Sequence, residues 1–368
     1  MNPPFRAEHI GSLVRPPALL AARHAFAAGN IPRERLAEIE NDAIRAVVKL
    51  QEDVGLQVVT DGEFRRGTYS DSFTSSGISG VSIELTDREG FTSSQTHGHR
   101  MARRIPKVVD KIRWNGPQNA RDFGFLKSVT TRTGKITLPG PCYIHYRAGR
   151  ANITAYSDLD AFWSDLVAAY HAEMRSLAEA GCTYLQIDET SLIKLGDPRV
   201  RELLKERGDD WRGLLKTYIG AVNAVAAGAP NGMTVGVHIC RSQDPSWQAD
   251  VGYDPIAEPL FNDMKVNTYF LEYDNARSGG FEPLRALPTG KIVVLGLVAS
   301  KVPALEDADL LKRRIEEAGR IVSLDQLALS PQCGFSTSAT ENVGVDETME
   351  RKKLARIVEV ARDVWGPQ

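Results

Sequence analysis

Short apolar runs rich in β-branched residues alternate with amphipathic helical segments along almost the whole chain, and this alternation constrains the fold more than any single motif. Strand-like runs are expected at 5–14, 56–60, 135–138, 183–187, 233–237, 267–272, 291–298 and 326–329. Between them, apolar residues recur at helical spacing over 33–54, 159–180, 209–227, 255–264, 305–322 and 347–364, with a short helical turn over 281–286. In the first of these helices Leu36, Ile39, Ala43, Ala46, Val47 and Leu50 share a face. Continuous apolar strands separated by helices imply a parallel sheet covered on its outside. No G-x-G-x-x-G run follows the first strand, and no Pro-, Ser- or Gly-rich linker interrupts the second half. About eight such units in 368 residues fit one (β/α)8 TIM barrel spanning residues 1–368 better than an open sheet with a second domain. Only 70–127 breaks the rhythm, turning to Ser, Thr, Gly and basic residues. It is expected to be a lid-like insertion after the second strand. Its His97-Gly98-His99 pair sits in a polar, Gly-rich run and is expected to be solvated surface rather than a ligand set.

Composition narrows the partners. With 42% hydrophobic residues, 25% charged residues and a net charge of −2, the chain has no electrostatic reason to seek nucleic acid or an anionic membrane. No run has the length and apolarity of a transmembrane helix, and the first six residues lack the apolar core of a signal peptide. Four cysteines (Cys142, Cys182, Cys240 and Cys333) are too few and too scattered for a disulfide scaffold. A reducing cytoplasm is the expected setting, with thiolates free to hold a metal. The oligomeric state stays open at this stage, a homodimer included.

In a barrel of this type the active site forms at the C-terminal ends of the strands. Ser12 follows the first strand, Glu63 the second and Asp188 the fourth. The fifth runs into His238-Ile239-Cys240, a spacing that puts imidazole and thiol on the same face of an extended segment. Glu272 closes the sixth strand and Cys333 follows the eighth. Taken singly, each has a plain alternative: a buried cysteine beside an ordinary histidine, a helix-capping glutamate, a core cysteine. Agreement at three strand ends favours a tetrahedral Zn2+ site made by His238, Cys240, Glu272 and Cys333. Cys142 and Cys182 have no His or Cys neighbour at ligand spacing and are expected to be packing residues.

Two thiolate ligands put much negative charge on a zinc ion and make it a poor acid toward water. It can still favour loss of the proton of an incoming thiol. The set therefore points to thiol alkylation more than to hydrolysis. Glu63 and Asp188, the candidate catalytic and substrate-binding carboxylates, could hold an ammonium group. Ile10, Gly11 and Ser12 offer backbone N–H groups and a hydroxyl for a carboxylate, so the site suits an amino-acid thiol. A general acid/base pair is the competing role for the two carboxylates. Glu63 could also simply pair with Arg65 or Arg66, and Glu189 could be the outward neighbour of Asp188.

Six motifs then come together: HIGS (His9–Ser12), DGEF (Asp61–Phe64), LQIDE (Leu185–Glu189), HIC (His238–Cys240), the Glu272 of FLEYD and SPQCG (Ser330–Gly334). The chain resembles the C-terminal catalytic barrel of cobalamin-independent methionine synthases, and more closely their short single-barrel bacterial relatives. The motifs run from near the first residue to past Cys333. The resemblance implies zinc held by His238, Cys240, Glu272 and Cys333, with homocysteine held by Ile10 to Ser12, Glu63 and Asp188. It also implies methyl transfer from a polyglutamylated methyltetrahydrofolate to the homocysteine sulfur, giving methionine. Three departures concern the donor. The length leaves no room for the N-terminal barrel of the full-length enzymes. The run Gly140–Arg147 has no Trp for pterin stacking, although His145 or Tyr146 could stack. Val298 stands where the family carries a His proposed to protonate the leaving folate. The donor is therefore open among methyltetrahydrofolate, methylcobalamin and another small methyl compound. An alkyltransferase for a different thiol, or a zinc- and thiol-binding barrel without catalysis, would share the same metal site.

Overall fold

The computed structural model describes residues 4–86, 103–241, 249–336, 342 and 344–367. In chain order its elements are α1 (Pro17–Ala27), α2 (Arg33–Asp53), β1 (Val58–Val59), β2 (Ile78–Thr86), β3 (Arg103–Trp114), α3 (Gln118–Ser128), β4 (Thr133–Gly134), β5 (Ile136–Pro139), α4 (Cys142–Ala148), α5 (Leu159–Glu179), β6 (Tyr184–Glu189), α6 (Pro198–Glu206), α7 (Trp211–Ala227), β7 (Thr234–Ile239), β8 (Thr268–Glu272), β9 (Ile292–Val298), α8 (Ala308–Gly319), β10 (Leu327–Pro331) and α9 (Glu347–Trp365). None of the described helices is long and apolar enough to cross a membrane.

Six strands form a parallel sheet in the order β10-β9-β8-β7-β6-β5. Its two edges approach each other. On one side Ala7 bridges to Leu329 of β10, with the Glu8 N–H donating to the Leu329 carbonyl at 2.9 Å. On the other, β1 pairs with β4 immediately upstream of β5, and the Leu13 N–H donates to the Gly62 carbonyl at 3.1 Å. A small apolar cluster of Phe5, Ile10, Val58, Tyr184, Phe270, Val294 and Ala328 draws on segments from both edges, as a sheet curled around an interior requires. The pleat separates two sides: Tyr184 faces this inner cluster, while Leu185 and Ile187 join the larger core beneath the helices. The result is a barrel-like parallel α/β fold.

An ion pair sits in the interior. Lys135 Nζ lies 3.1 Å from Glu8 Oε2, and both side chains are fully buried. The Tyr184 hydroxyl donates to the other Glu8 oxygen at 3.0 Å and the Phe5 N–H at 3.1 Å, while the ammonium stands 4.6 Å from the Phe270 ring centre. Lys135 also donates to the His9 carbonyl. The charges thus retain partners that repay lost hydration.

Each of α5 to α9 starts at an aspartate whose carboxylate accepts a first-turn N–H, namely Asp158, Asp197, Asp210, Asp307 and Asp346. The segment expected to be an insertion has structure of its own: β2 and β3 pair antiparallel, followed by α3. It is tied to α5, where Glu173 accepts from Trp114 Nε1 at 2.5 Å and from the Asn119 N–H at 3.2 Å. His97-Gly98-His99 lies outside the described residues.

Several expectations change, among them the helix expected over 255–264, which is a 3-10 turn (Asp254–Ile256) followed by a π turn (Pro259–Asp263). The strand expected over 5–14 narrows to the single bridge at Ala7, because the chain departs at Gly11 with φ 151°. A Cβ there would come 2.8 Å from Thr137 Cγ2 and 2.9 Å from Glu63 Oε1, so glycine permits a close approach of backbone to carboxylate. Helices also form outside the segments expected to be helical. Pro17 opens α1 and Pro198 opens α6, positions where a missing N–H costs nothing, and α4 follows Gly140-Pro141 directly.

Replacing Lys135 by Met should leave Glu8 buried and unpaired and cost about 3–5 kcal/mol of stability. Thermal unfolding followed by circular dichroism should show the loss, with most of it recovered in Lys135→Met/Glu8→Gln.

Candidate metal centre

The sheet register builds this site. Asp188 of β6 pairs with His238 of β7, and Glu272 closes β8 opposite Gly296 of β9. Cys240 follows β7, where its N–H donates to the Glu189 carbonyl at 3.2 Å. Cys333 follows β10, and the Gln332 N–H before it is held by the Val298 carbonyl at 2.9 Å. One ligand atom from each of His238, Cys240, Glu272 and Cys333 lies within 4.8 Å of every other, and all four residues are buried. Cys240 Sγ and Cys333 Sγ are 3.9 Å apart, and His238 Nε2 is 3.7 Å from Glu272 Oε1. Tetrahedral zinc, with Zn–S of about 2.3 Å and Zn–N or Zn–O of about 2.0–2.2 Å, needs ligand separations of roughly 3.3–3.8 Å. The donor set and its spacing therefore fit such an ion with small adjustments.

Neighbouring groups hold the cluster in place. His238 Nδ1 lies 3.5 Å from Asp188 Oδ1, leaving Nε2 on the Glu272 side. Glu272 accepts from the Arg241 N–H at 3.1 Å, and its own N–H donates to the Tyr253 hydroxyl at 2.8 Å. Arg241 is pinned in turn by Ser278 Oγ at 2.7 Å and the Ala249 carbonyl at 2.6 Å. Burial lowers the His238 pKa, but contacts with Asp188 and Glu272 outweigh it and carry the value up to about 10. The Cys333 thiol is pushed well up by its hydrogen bond with Cys240 and by burial.

The other expected residues lie alongside. Gln186 Nε2 donates both to Asp188 Oδ1 and to the Ile10 carbonyl, each at 2.7 Å, tying the first loop to β6. Among the described residues, the N–H groups of Ile10, Gly11 and Ser12 have no hydrogen-bond partner. The Ser12 carbonyl accepts from the Phe335 N–H at 2.9 Å, and a Cβ on Gly334 would meet Ser12 Oγ, so this loop touches the Cys333 segment. Glu63 accepts from Thr137 Oγ1 at 2.8 Å and lies 3.5 Å from Arg66 Nη1. It has φ 60°, the single positive value among the described non-glycine residues. Such a conformation costs on the order of 1–3 kcal/mol and persists where the surroundings fix it, often at functional sites. Burial raises the Glu63 pKa, Arg66 opposes it, and Asp188 adds to it.

Thr137, Gln186, Tyr253 and Arg241 carry no signal in sequence. They act through three-dimensional register, and a Thr or Gln within a strand reads as ordinary filling. His145 and Tyr146 are both buried. His145 Nδ1 meets the Tyr218 hydroxyl at 2.9 Å and its ring lies 5.5 Å from Trp163, so it serves the packing of α4 on α5 and α7. Cys142 and Cys182 are buried free thiols outside the metal cluster.

A parallel α/β sheet that gathers one imidazole, two thiols and a carboxylate at its strand ends offers a candidate site for a thiophilic metal. The chain belongs to the family described as cobalamin-independent synthase, catalytic domain, whose profile matches residues 5–363. It is 38% identical to the uncharacterized protein YxjH of Bacillus subtilis (strain 168), over 98% of this chain and 95% of that one. A methionine synthase of Pyrococcus abyssi is 26% identical over 96% of this chain and 91% of its own. A solved structure from Listeria monocytogenes, provisionally assigned as a vitamin-B12-independent methionine synthase, superposes with a TM-score of 0.77. It is 32% identical and the match covers 100% of both chains.

Elemental analysis should find zinc in the wild-type protein and its loss in both Cys240→Ser and Cys333→Ser. Cys142→Ser should keep the metal, because that thiol lies outside the cluster.

Proposed function

We propose that this chain is a zinc-dependent thiol methyltransferase that passes a methyl group to the sulfur of homocysteine, giving methionine. The carrying observation is the buried His238–Cys240–Glu272–Cys333 cluster beside two carboxylates and a loop whose N–H groups have no partner among the described residues. Family membership supports the same activity. In this reading the fold is a closed (β/α)8 barrel, one domain over residues 1–368, and the hairpin with α3 is an insertion after the second barrel strand. A cytoplasmic setting accords with four free thiols.

His238, Cys240, Glu272 and Cys333 would hold the ion. When bound, zinc would supply a Lewis acid that favours the thiolate form of an incoming thiol near neutral pH. The chain supplies the rest. Asp188 orients His238 through Nδ1 and, with Glu63, binds the homocysteine ammonium group. The N–H groups of Ile10, Gly11 and Ser12, with the Ser12 hydroxyl, receive the carboxylate. The sulfur is thereby aimed at the donor methyl. Its electron pair forms the S–CH3 bond as the donor–CH3 bond breaks in line, and that bonding pair leaves with the donor. Burial of the whole cluster excludes water, which would compete for the methyl group.

Two measurements test this. Homocysteine added to the zinc-loaded protein should bind with release of a proton, read by calorimetry in buffers of different ionisation enthalpy. Methionine should then form with at least one of methyltetrahydrofolate, methylcobalamin or another methyl compound. A zinc-loaded protein indifferent to homocysteine would sink the proposal. Glu63→Gln should retain zinc but weaken homocysteine binding about tenfold or more, the usual loss when a charged hydrogen-bond partner is removed. Unchanged affinity would remove Glu63 from the amino-acid site.

A further inference from the structure

A buried arginine braces the turn that carries Glu63. Arg15 follows the first loop and is only 2% exposed. Its Nη2 donates to the Glu63 carbonyl at 3.0 Å and to the Arg66 carbonyl at 3.3 Å. Its Nη1 donates to Ser336 Oγ at 2.9 Å, which anchors the guanidinium to the segment after β10. The backbone of Arg15 is held as well. Its N–H donates to Asn342 Oδ1 at 3.1 Å, and its carbonyl accepts from Asn342 Nδ2 at 2.8 Å. Burial lowers the Arg15 pKa to about 10, so the group is still a cation at neutral pH and its hydrogen bonds are charge-assisted.

The two carbonyls that Arg15 grips stand at the two ends of one turn. Inside it the Arg66 N–H donates to the Glu63 carbonyl at 3.1 Å, and Asp61 Oδ1 accepts from the Glu63 N–H at 2.9 Å. From the far end, the Arg66 guanidinium donates to Thr137 Oγ1 at 2.6 Å and to the Thr137 carbonyl at 2.8 Å. Thr137 Oγ1 in turn donates to Glu63 Oε1 at 2.8 Å. Arg15 therefore reaches the Glu63 carboxylate by two routes, one through the backbone of Glu63 and one through Arg66 and Thr137. Glu63 has φ 60°, a conformation that lasts only where several contacts fix it. A planar fork of donors suits three acceptors at fixed places better than a single ammonium does.

We infer that Arg15 is a positioning residue that holds the Glu63 carboxylate where the ammonium group of an amino-acid thiol meets it. This rests on the reading of Glu63 as part of the homocysteine site. Arg15 acts through the turn rather than on the thiol itself, so it governs the choice between an amino-acid thiol and a plain one. Its loss should be felt at the ammonium end of the substrate and not at the sulfur.

The test titrates the zinc-loaded full chain calorimetrically with homocysteine and, separately, with γ-mercaptobutyrate, which has the same thiol and carboxylate but no amino group. In Arg15→Met the zinc content should be unchanged and homocysteine should bind about tenfold or more weakly, while γ-mercaptobutyrate stays within about twofold of wild type. Arg15→Lys keeps the charge without the fork and should follow Arg15→Met, so it carries the comparison if Arg15→Met does not fold. In a Glu63→Gln chain the further loss of Arg15 should change homocysteine affinity little, because both changes act on one carboxylate. Unaltered homocysteine affinity, equal weakening of both thiols, or full additivity with Glu63→Gln would overturn the assignment. A wild-type protein indifferent to homocysteine would instead strike the methyltransferase reading, so the two failures are distinguishable.

Discussion

Two thiols, an imidazole and two carboxylates packed into one buried corner need a source of positive charge, and this need governs the region around them. Contacts with Asp188 and Glu272 raise the His238 pKa, and the hydrogen bond with Cys240 and burial raise that of Cys333. A divalent cation at the same place would compete with protons for these groups, because thiolates and a neutral imidazole are what a metal binds. The same atoms thus titrate against a cation, and the Asp188 contact to Nδ1 keeps the ring orientation common to both states. The Arg241 and Tyr253 contacts similarly fix Glu272 from the side away from the cluster.

The interior beneath the site is organised by a second charge problem with a different answer. Lys135 and Glu8 are closed off by Tyr184, by the Phe5 and His9 backbone and by the Phe270 ring, so this pair is internally complete. Its consequence is positional. Lys135 grips the His9 carbonyl and Gln186 grips the Ile10 carbonyl, which hold the first loop by its oxygens and leave three successive N–H groups without a partner among the described residues. Gly11 allows that loop to lie against the Glu63 carboxylate, and the positive φ of Glu63 turns the carboxylate toward it.

Much of this was legible in the sequence for a simple reason. Residues at the end of a parallel strand report their own location: a strand of known direction places its last polar residue at one rim of the sheet. His238, Cys240, Glu272 and Cys333 could be collected that way, and the structure brings them together. Helices such as α2, α5 and α9 were visible because their apolar period is long and regular. What sequence missed depends on contacts between distant residues. Thr137 matters because it faces Glu63, and Gln186 because it reaches Ile10, and no local pattern encodes either. The first strand was overdrawn for the complementary reason. FRAEHIGSLV has strand-like composition, but its pairing is confined to the bridge at Ala7, and by Gly11 the backbone lies against Glu63, a tertiary demand that local propensity does not record.

The metal cluster and the elements beside it differ in how they are built. The cluster is assembled from strand ends in register, where moving one residue displaces its neighbours across the sheet, so its geometry is hard to alter piecemeal. α4 and the turn after β6 instead follow the strands rather than belonging to them. Side chains there can change without disturbing the ladder. The strand ends therefore fix where the four candidate ligands sit, and the helix and turn beside them are free to vary around that fixed cluster.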